Sequence, residues 1–158
     1  MNIDIDFRSK NTPAKKLSNL YPHQFTFQGV QCGSMEGFLQ SLKRKDIPIQ
    51  LATCAKAGFD AKFASKNIIW QDTGLWWRGT ELDRFSDNYI FLIYDAYRSL
   101  YDQNNGFKEA LLSTYPHSLD HSIGRTAQKD TILTKREFCS ILESLRQDGI
   151  LLTFPVER

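Results

Sequence analysis

Glu36, Gln40 and Lys43 are the residues of this chain whose types and spacing first suggest chemistry. They lie in CGSMEGFLQSLKRKD, residues 32–46, where the Ser34 hydroxyl can accept from a free first-turn amide and so starts a helix at Met35. At about 100° per residue, Met35, Phe38, Leu39 and Leu42 share one buried stripe, and Glu36, Gln40 and Lys43, at i, i+4 and i+7, line its flank. A carboxylate, an amide and an ammonium on one flank are the makings of a pocket. The alternative is an acid that complements the helix dipole in the first turn, with Gln40 and Lys43 as a solvated edge.

Other reactive side chains group less well. His117 and His121 have the i, i+4 spacing that puts two imidazoles on one helix face for a metal. The stretch after Pro116 is turn-prone, however, and no third ligand is indicated nearby, so capping or loop hydrogen bonding is the expectation. Cys32, Cys54 and Cys139 form no CxxC pair and no disulfide framework, and none sits in an activating motif. HSIGR at 121–125 offers a Gly and an Arg, but the chain holds neither GxGxxG nor GxxxxGK[ST]. Three tryptophans in IIWQDTGLWWRG, beside Arg78, are numerous enough that some ring faces stay accessible alongside those that anchor a core. An accessible ring can stack on a nucleobase, which would add an aromatic platform to the acid and the cation.

Positioning these residues calls for an ordinary folded domain, and 158 residues suffice for one unit with a real core. The net charge of +2 is too balanced for a general nucleic-acid coat. Residues 1–79 carry 11 basic and 6 acidic side chains, and residues 80–158 carry 9 and 12, so the N-terminal half leans toward anions through Arg8, Lys10, Lys15, Lys16, Lys43, Arg44 and Lys45. No apolar stretch approaches the roughly 18 residues a membrane span needs, and the cysteine usage fits a reducing cytoplasm. Residues 2–7 and 25–32 read as strands. Helices are expected from about Gln50 with a break at Gly58, over 87–103 behind Ser86, over the stretch before Pro116, and from the Thr134–Glu137 capping box to a stop at Gly149. Phe91 suggests that the 87–103 helix is buried on more than one side, and ILLTF reads as a last strand. Strands first and helices later favour a single α+β domain over residues 1–158.

LSNLYP at 17–22, FTFQGVQCGSMEGFLQSLK at 25–43, WWRG at 76–79, ALLSTYPHSLDHSIG at 110–124 and LTKREFCSILESLR at 133–146 together resemble the NADAR, or YbiA-like, family in one order over most of the chain. The resemblance implies an α+β fold, mostly helical with a small sheet. It also implies an N-glycosidase associated with NAD and ADP-ribose metabolism. Some members cleave phosphorylated riboflavin-pathway intermediates, and others remove ADP-ribose from guanine in DNA. Carried over by position, it marks Ser18, Asn19, Glu36, Gln40 and Lys43, and more loosely Trp76 or Trp77 and His121. Many members have His where this chain has Gly37, and a WG-containing loop where it has HSIGRTAQKDTIL.

On this reading the chain hydrolyses a ribose–base bond without metal or redox cofactor, on a nucleotide or ADP-ribose-like molecule or on ADP-ribosylated DNA, and with no membrane partner. Glu36 would stabilise an oxocarbenium-like transition state, and Lys43 would hold a phosphate or ribose oxygen. Asn19 would bond the substrate, and one of the two tryptophans would stack on the base. The alternative is a binding module that sequesters the same ligand uncleaved.

Overall fold

In chain order the elements of the computed structural model are β1 (Asn2–Asp4), α1 (Thr12–Lys16), β2 (Phe25–Phe27), β3 (Val30–Cys32), α2 (Met35–Ser41), α3 (Ile47–Cys54), α4 (Gly58–Phe63), α5 (Trp70–Thr73), β4 (Leu75–Trp77), β5 (Thr80–Leu82), α6 (Asp87–Gln103), α7 (Asn105–Ser113), β6 (Ser118–Asp120) and α8 (Lys135–Thr153). The structure describes residues 1–153. The fold is α+β and mainly helical, and among the described residues the strands form three two-stranded pairs: β1 parallel to β6, and the β2–β3 and β4–β5 hairpins. Among the described residues no helix is long and apolar enough to cross a membrane.

One unit comprises Met1–Ser18 and the chain from Asn105 onward. Its strand pair joins residues more than a hundred positions apart, Ile3 opposite Leu119, and Ile5 N continues the ladder to Asp120 O at 2.8 Å. The alternation read over residues 2–7 ends early because Asp6 opens a turn, its carbonyl accepting from Ser9 N and its carboxylate from Arg8 N. α8 begins as its sequence requires. Thr134 N donates to Glu137 Oε1 at 2.8 Å, and Glu137 N donates to Thr134 Oγ1 at 3.1 Å. Phe138, Ile141, Leu142 and Leu145 are buried. Gly149 does not stop the helix, which runs on to Thr153, since one interior glycine costs only about 1 kcal/mol. Residues 150–153, read as strand, are therefore helical, and Phe154 lies outside the described residues.

The other unit, Asn19–Asn104, is built around α2, which packs against α3, α4, α6 and β3. Ser34 Oγ accepts from Gly37 N at 3.0 Å, and the stripe Met35, Phe38, Leu39 and Leu42 is at most 3% exposed. FTFQGVQC is a hairpin rather than one strand, turned by Gln28 and Gly29 at φ of 48° and 79°. Arg78 and Gly79, at 49° and 89°, turn β4 into β5 in the same way, as two-residue hairpin loops with positive φ at both positions. α3 starts at Ile47, three residues before the expected Gln50. Asp46 caps it by accepting from Ile49 N at 3.0 Å, and Pro48 is tolerated in a first turn where no amide partner is needed. Gly58 opens α4. α6 has its expected limits, but Phe91 is 61% exposed, so burial follows one stripe that includes the fully buried Tyr97.

Two features bring α2 and its exit loop to a fixed place. A Cβ on Gly37 would lie 2.5 Å from Lys56 O, 2.6 Å from Cys54 O and 3.0 Å from Thr53 O, so the first turn of α2 rests directly on the last carbonyls of α3. The second is the buried Gln50 amide, whose Nε2 reaches Ser41 O, Arg44 O and Trp76 O at 3.0, 3.1 and 2.8 Å while Oε1 accepts from Arg78 N at 2.9 Å. Gly37→Ala is expected to lower unfolding stability by about 1–3 kcal/mol or more, the scale of overpacking against atoms that cannot yield. Urea denaturation with an unchanged midpoint would refute the contact.

Candidate functional site

The close approach of α2 to α3 aims the first turn of α2 at the 19–20 loop. Glu36 N donates to Asn19 O at 3.0 Å, and Gly58 N donates to Leu20 O at 2.9 Å, so the loop is held at two successive carbonyls. The Tyr97 hydroxyl donates to Asn19 Oδ1 at 2.7 Å, which turns the amide so that Nδ2 remains as the donor end. Tyr97 was not among the candidate residues. Its signal was its place on the α6 stripe, four residues after Ile93 and three before Leu100, where a buried phenol needs a partner.

Glu36 is half-buried, and its Oε1 accepts from Gln40 Nε2 at 2.9 Å, one helical turn on. Gln40 is 9% exposed, and its Oε1 is buried with no hydrogen-bond partner, a cost of about 1–3 kcal/mol. Lys43 lies just past the Leu42 C-cap, held by Lys43 N to Gln40 O at 3.2 Å. Burial pushes its ammonium below the ordinary lysine value, and the Glu36 carboxylate opposes that fall. Asn19, Glu36, Gln40 and Lys43 thus form one linked group of acid, amides and cation. Arg44 and Lys45, counted with them for anion contact, are engaged elsewhere: Arg44 donates to Ala64 O at 2.7 Å, and Lys45 lies 4.7 Å over the Trp76 ring.

The two tryptophans separate because successive strand residues face opposite sides. Trp77 is 7% exposed, packs edge-on to Phe38 at 5.2 Å and against Phe27 at 5.7 Å, and donates Nε1 to Gln28 Oε1 at 2.9 Å. It is a core residue, and its ring is enclosed. Trp76 is half-buried, and Trp76 N donates to Leu42 O at 2.7 Å, which brings its backbone beside the residue preceding Lys43. Trp76 is the more accessible of the two rings, with the Lys45 ammonium over one face. Near it, a cleft of about 450 Å³ includes Trp70, Leu75 and Leu82 with Glu81, Asp83 and the buried Arg84; of these only Trp70, one of the three tryptophans, was singled out from the sequence.

Ser18 and His121 belong to the other unit. Ser18 is buried at the end of α1, where its amide donates to Lys15 O at 3.2 Å. His121 is half-buried, with Nδ1 2.7 Å from Ile5 O and its ring edge-on to Phe138 at 5.3 Å. His117 and His121 flank the strand β6 rather than sharing a helix face. Among the described residues no group of three or more His, Cys, Asp and Glu could hold a metal ion. Two of the thiols are ill suited to attack: hydrogen bonding with Cys54 and burial push Cys32 up, and burial, Asp120 and Glu143 push Cys139 up to about 12, while Cys54, lowered by its hydrogen bond with Cys32, is fully buried.

With this geometry in hand, known proteins supply the relationship. The family described as Bacteriophage protein GP30.3 matches residues 11–147. The chain belongs to that family. It is 36% identical over 147 residues to a 17.1 kDa protein of the Gp30–rIII intergenic region of Enterobacteria phage T4, covering 90% of this chain and 97% of the relative. The structure also superimposes on the NMR structure of the E. coli protein YbiA with a TM-score of 0.62 and 16% identity, over 100% of this chain and 92% of YbiA. The fold is thus YbiA-like, as the sequence resemblance implied.

Trp77→Ala is expected to cost about 3–5 kcal/mol of stability, as for a large buried aromatic. Trp76→Ala should cost clearly less and instead weaken binding of a nucleotide ligand. Chemical denaturation alongside calorimetry with ADP-ribose separates the two, and equal stability losses would contradict the assignment.

Proposed function

We propose that the Asn19–Glu36–Gln40–Lys43 group hydrolyses the N-glycosidic bond between a ribose carbon and a base in an ADP-ribose-related nucleotide, an ADP-ribosylated guanine or a riboflavin precursor. The observation that carries this reading is a half-buried carboxylate whose orientation is fixed from its own helix, beside a cation that burial has partly desolvated. Departure of the base leaves positive charge on the ribose, and a fixed carboxylate stabilises that charge without reorganising. Glu36 can also take a proton from the attacking water. Lys43 holds a phosphate or ribose oxygen, Asn19 Nδ2 donates to the substrate, and Trp76 offers its ring to the base. The chemistry calls for no metal or redox cofactor, and the partner is a nucleotide, free or attached to DNA.

The test is incubation with ADP-ribosylated guanosine, as nucleoside and in DNA, and with ribosylamino-pyrimidine phosphates, followed by detection of released base or sugar. No turnover of any of these at high protein concentration overturns the hydrolase. A ligand bound tightly and returned intact after denaturation would identify a sequestering module instead.

Glu36→Gln keeps the shape and removes the charge. Folding and ligand affinity should persist while turnover falls at least about a hundredfold, equivalent to about 2.7 kcal/mol of transition-state stabilisation. A carboxylate serving only the helix dipole would instead show a loss of about 0.3–1 kcal/mol in stability and unchanged turnover.

Lys43 sets the alkaline limit. Because its folded value lies below the ordinary 10.5, the ammonium is lost at lower pH than an exposed lysine would lose it, and kcat/KM for a phosphorylated substrate should decline before pH 10.5. The same shift makes stability rise with pH through that window, since the unfolded chain then holds the extra proton. Lys43→Arg, which stays charged, should move the decline in kcat/KM to higher pH, and an unmoved limb would remove Lys43 from the site.

A further inference from the structure

We infer that Gln40 is the positioning residue for the Glu36 carboxylate, an inference that rests on reading Glu36 as the reacting acid. The argument comes from the two unequal ends of one buried amide. Nε2 donates to Glu36 Oε1 at 2.9 Å, whereas Oε1 is buried and meets no donor. Packing alone gives no reason for an amide here, because an apolar side chain of the same length would fill the space and leave no buried acceptor unsatisfied. The end that acts is the N–H directed at Glu36.

The backbone of Gln40 is anchored to match. Its carbonyl accepts from Ser65 Oγ at 3.3 Å and from Lys43 N at 3.2 Å. With the backbone fixed and the side chain enclosed, the donor has little freedom to leave Glu36. It therefore sets the plane of the carboxylate and favours its ionised form, together with Lys43, the charged group known to face it. Gln40 touches no reacting atom in this scheme and acts through Glu36. A residue that lowers stability at one buried atom while holding a reactive group in place fits the usual exchange between stability and function.

Gln40→Met preserves volume and removes both ends of the amide. The expected result has two parts: a melting temperature equal to or above that of the unaltered protein, and a 13C carboxyl titration midpoint for Glu36 raised by about one unit. Glu36→Gln identifies the resonance. With an active substrate, kcat should fall about tenfold or more with little change in KM. The titration needs no turnover, so failure of the hydrolase reading and failure of this assignment are seen separately. In the unaltered protein, one Gln40 side-chain amide proton should shift as Glu36 ionises, which guards against a Met variant that does not fold. A Glu36 midpoint unmoved by Gln40→Met, or a Gln40 amide indifferent to pH across that midpoint, would overturn the inference.

Discussion

The candidate site depends on how closely the first turn of α2 can approach the last turn of α3. That distance is set by two residues without side chains. At Gly33 a Cβ would collide with the backbone of Ala55, and at Gly37 with three carbonyls from Thr53 to Lys56. With the Cβ atoms gone, polar bonds close the gap: Gly33 N donates to Cys54 O at 2.9 Å, and Ser34 Oγ donates to Lys56 O at 2.8 Å. Ser34 thereby does two things at once, capping its own helix through Gly37 N and tying it to α3. These contacts fix the rotation of α2 about its axis, which decides that Met35, Phe38 and Leu39 face inward and that Glu36 meets the Asn19 loop. A looser approach would leave the same sequence helical but would free the direction of its acid.

The far end of α2 is fixed by different means. Lys43 sits in a turn, where backbone freedom would spread a charged side chain over many positions, yet the carbonyls on either side of it, at Ser41 and Arg44, both accept from Gln50. The same amide binds the β4–β5 hairpin through Trp76 O and Arg78 N, and Arg78 in turn donates to Gln28 O at 3.0 Å, joining the second hairpin tip to the first. Buried and bonded at both its nitrogen and its oxygen, Gln50 is the kind of satisfied polar hub that gives a core one arrangement. Gln40, on α2 and bonded at one end, is the contrasting case. Two buried amides of the same type thus serve different ends, one holding the backbone and the other a carboxylate.

What could be read from the sequence was what is decided locally. The Ser34 and Ser86 caps, the Thr134–Glu137 box and the apolar stripes of α2 and α8 each depend on residues within a turn or two, and the structure has them in place. The group around Glu36 was legible for the same reason, since i, i+4 spacing on a helix is a geometric fact. Features decided at a distance were not. The pairing of Ile3 with Leu119 cannot be seen in either segment, and residues 150–153, apolar and β-branched, continue a helix that was already propagating. Phe91 shows the limit of counting apolar residues, because burial depends on which helix face has neighbours, and its face has few. Trp76 and Trp77 could not be told apart until the register of β4 put one on each side.

Gly37 stands beside the acid, at the position where the resemblance read from the sequence implied a His. Taken alone, the loss of a polar side chain next to the acid reads as the loss of a catalytic group. The packing gives another cause. Any side chain at this position would enter the carbonyls that end α3, so in this chain the residue after the acid and the last turn of α3 occupy the same space. A helix seated this close to those carbonyls has no room for a side chain at 37. The glycine therefore records how α2 is seated. What it leaves in place is the flank itself: the carboxylate at 36, its amide donor at 40 and the desolvated ammonium at 43.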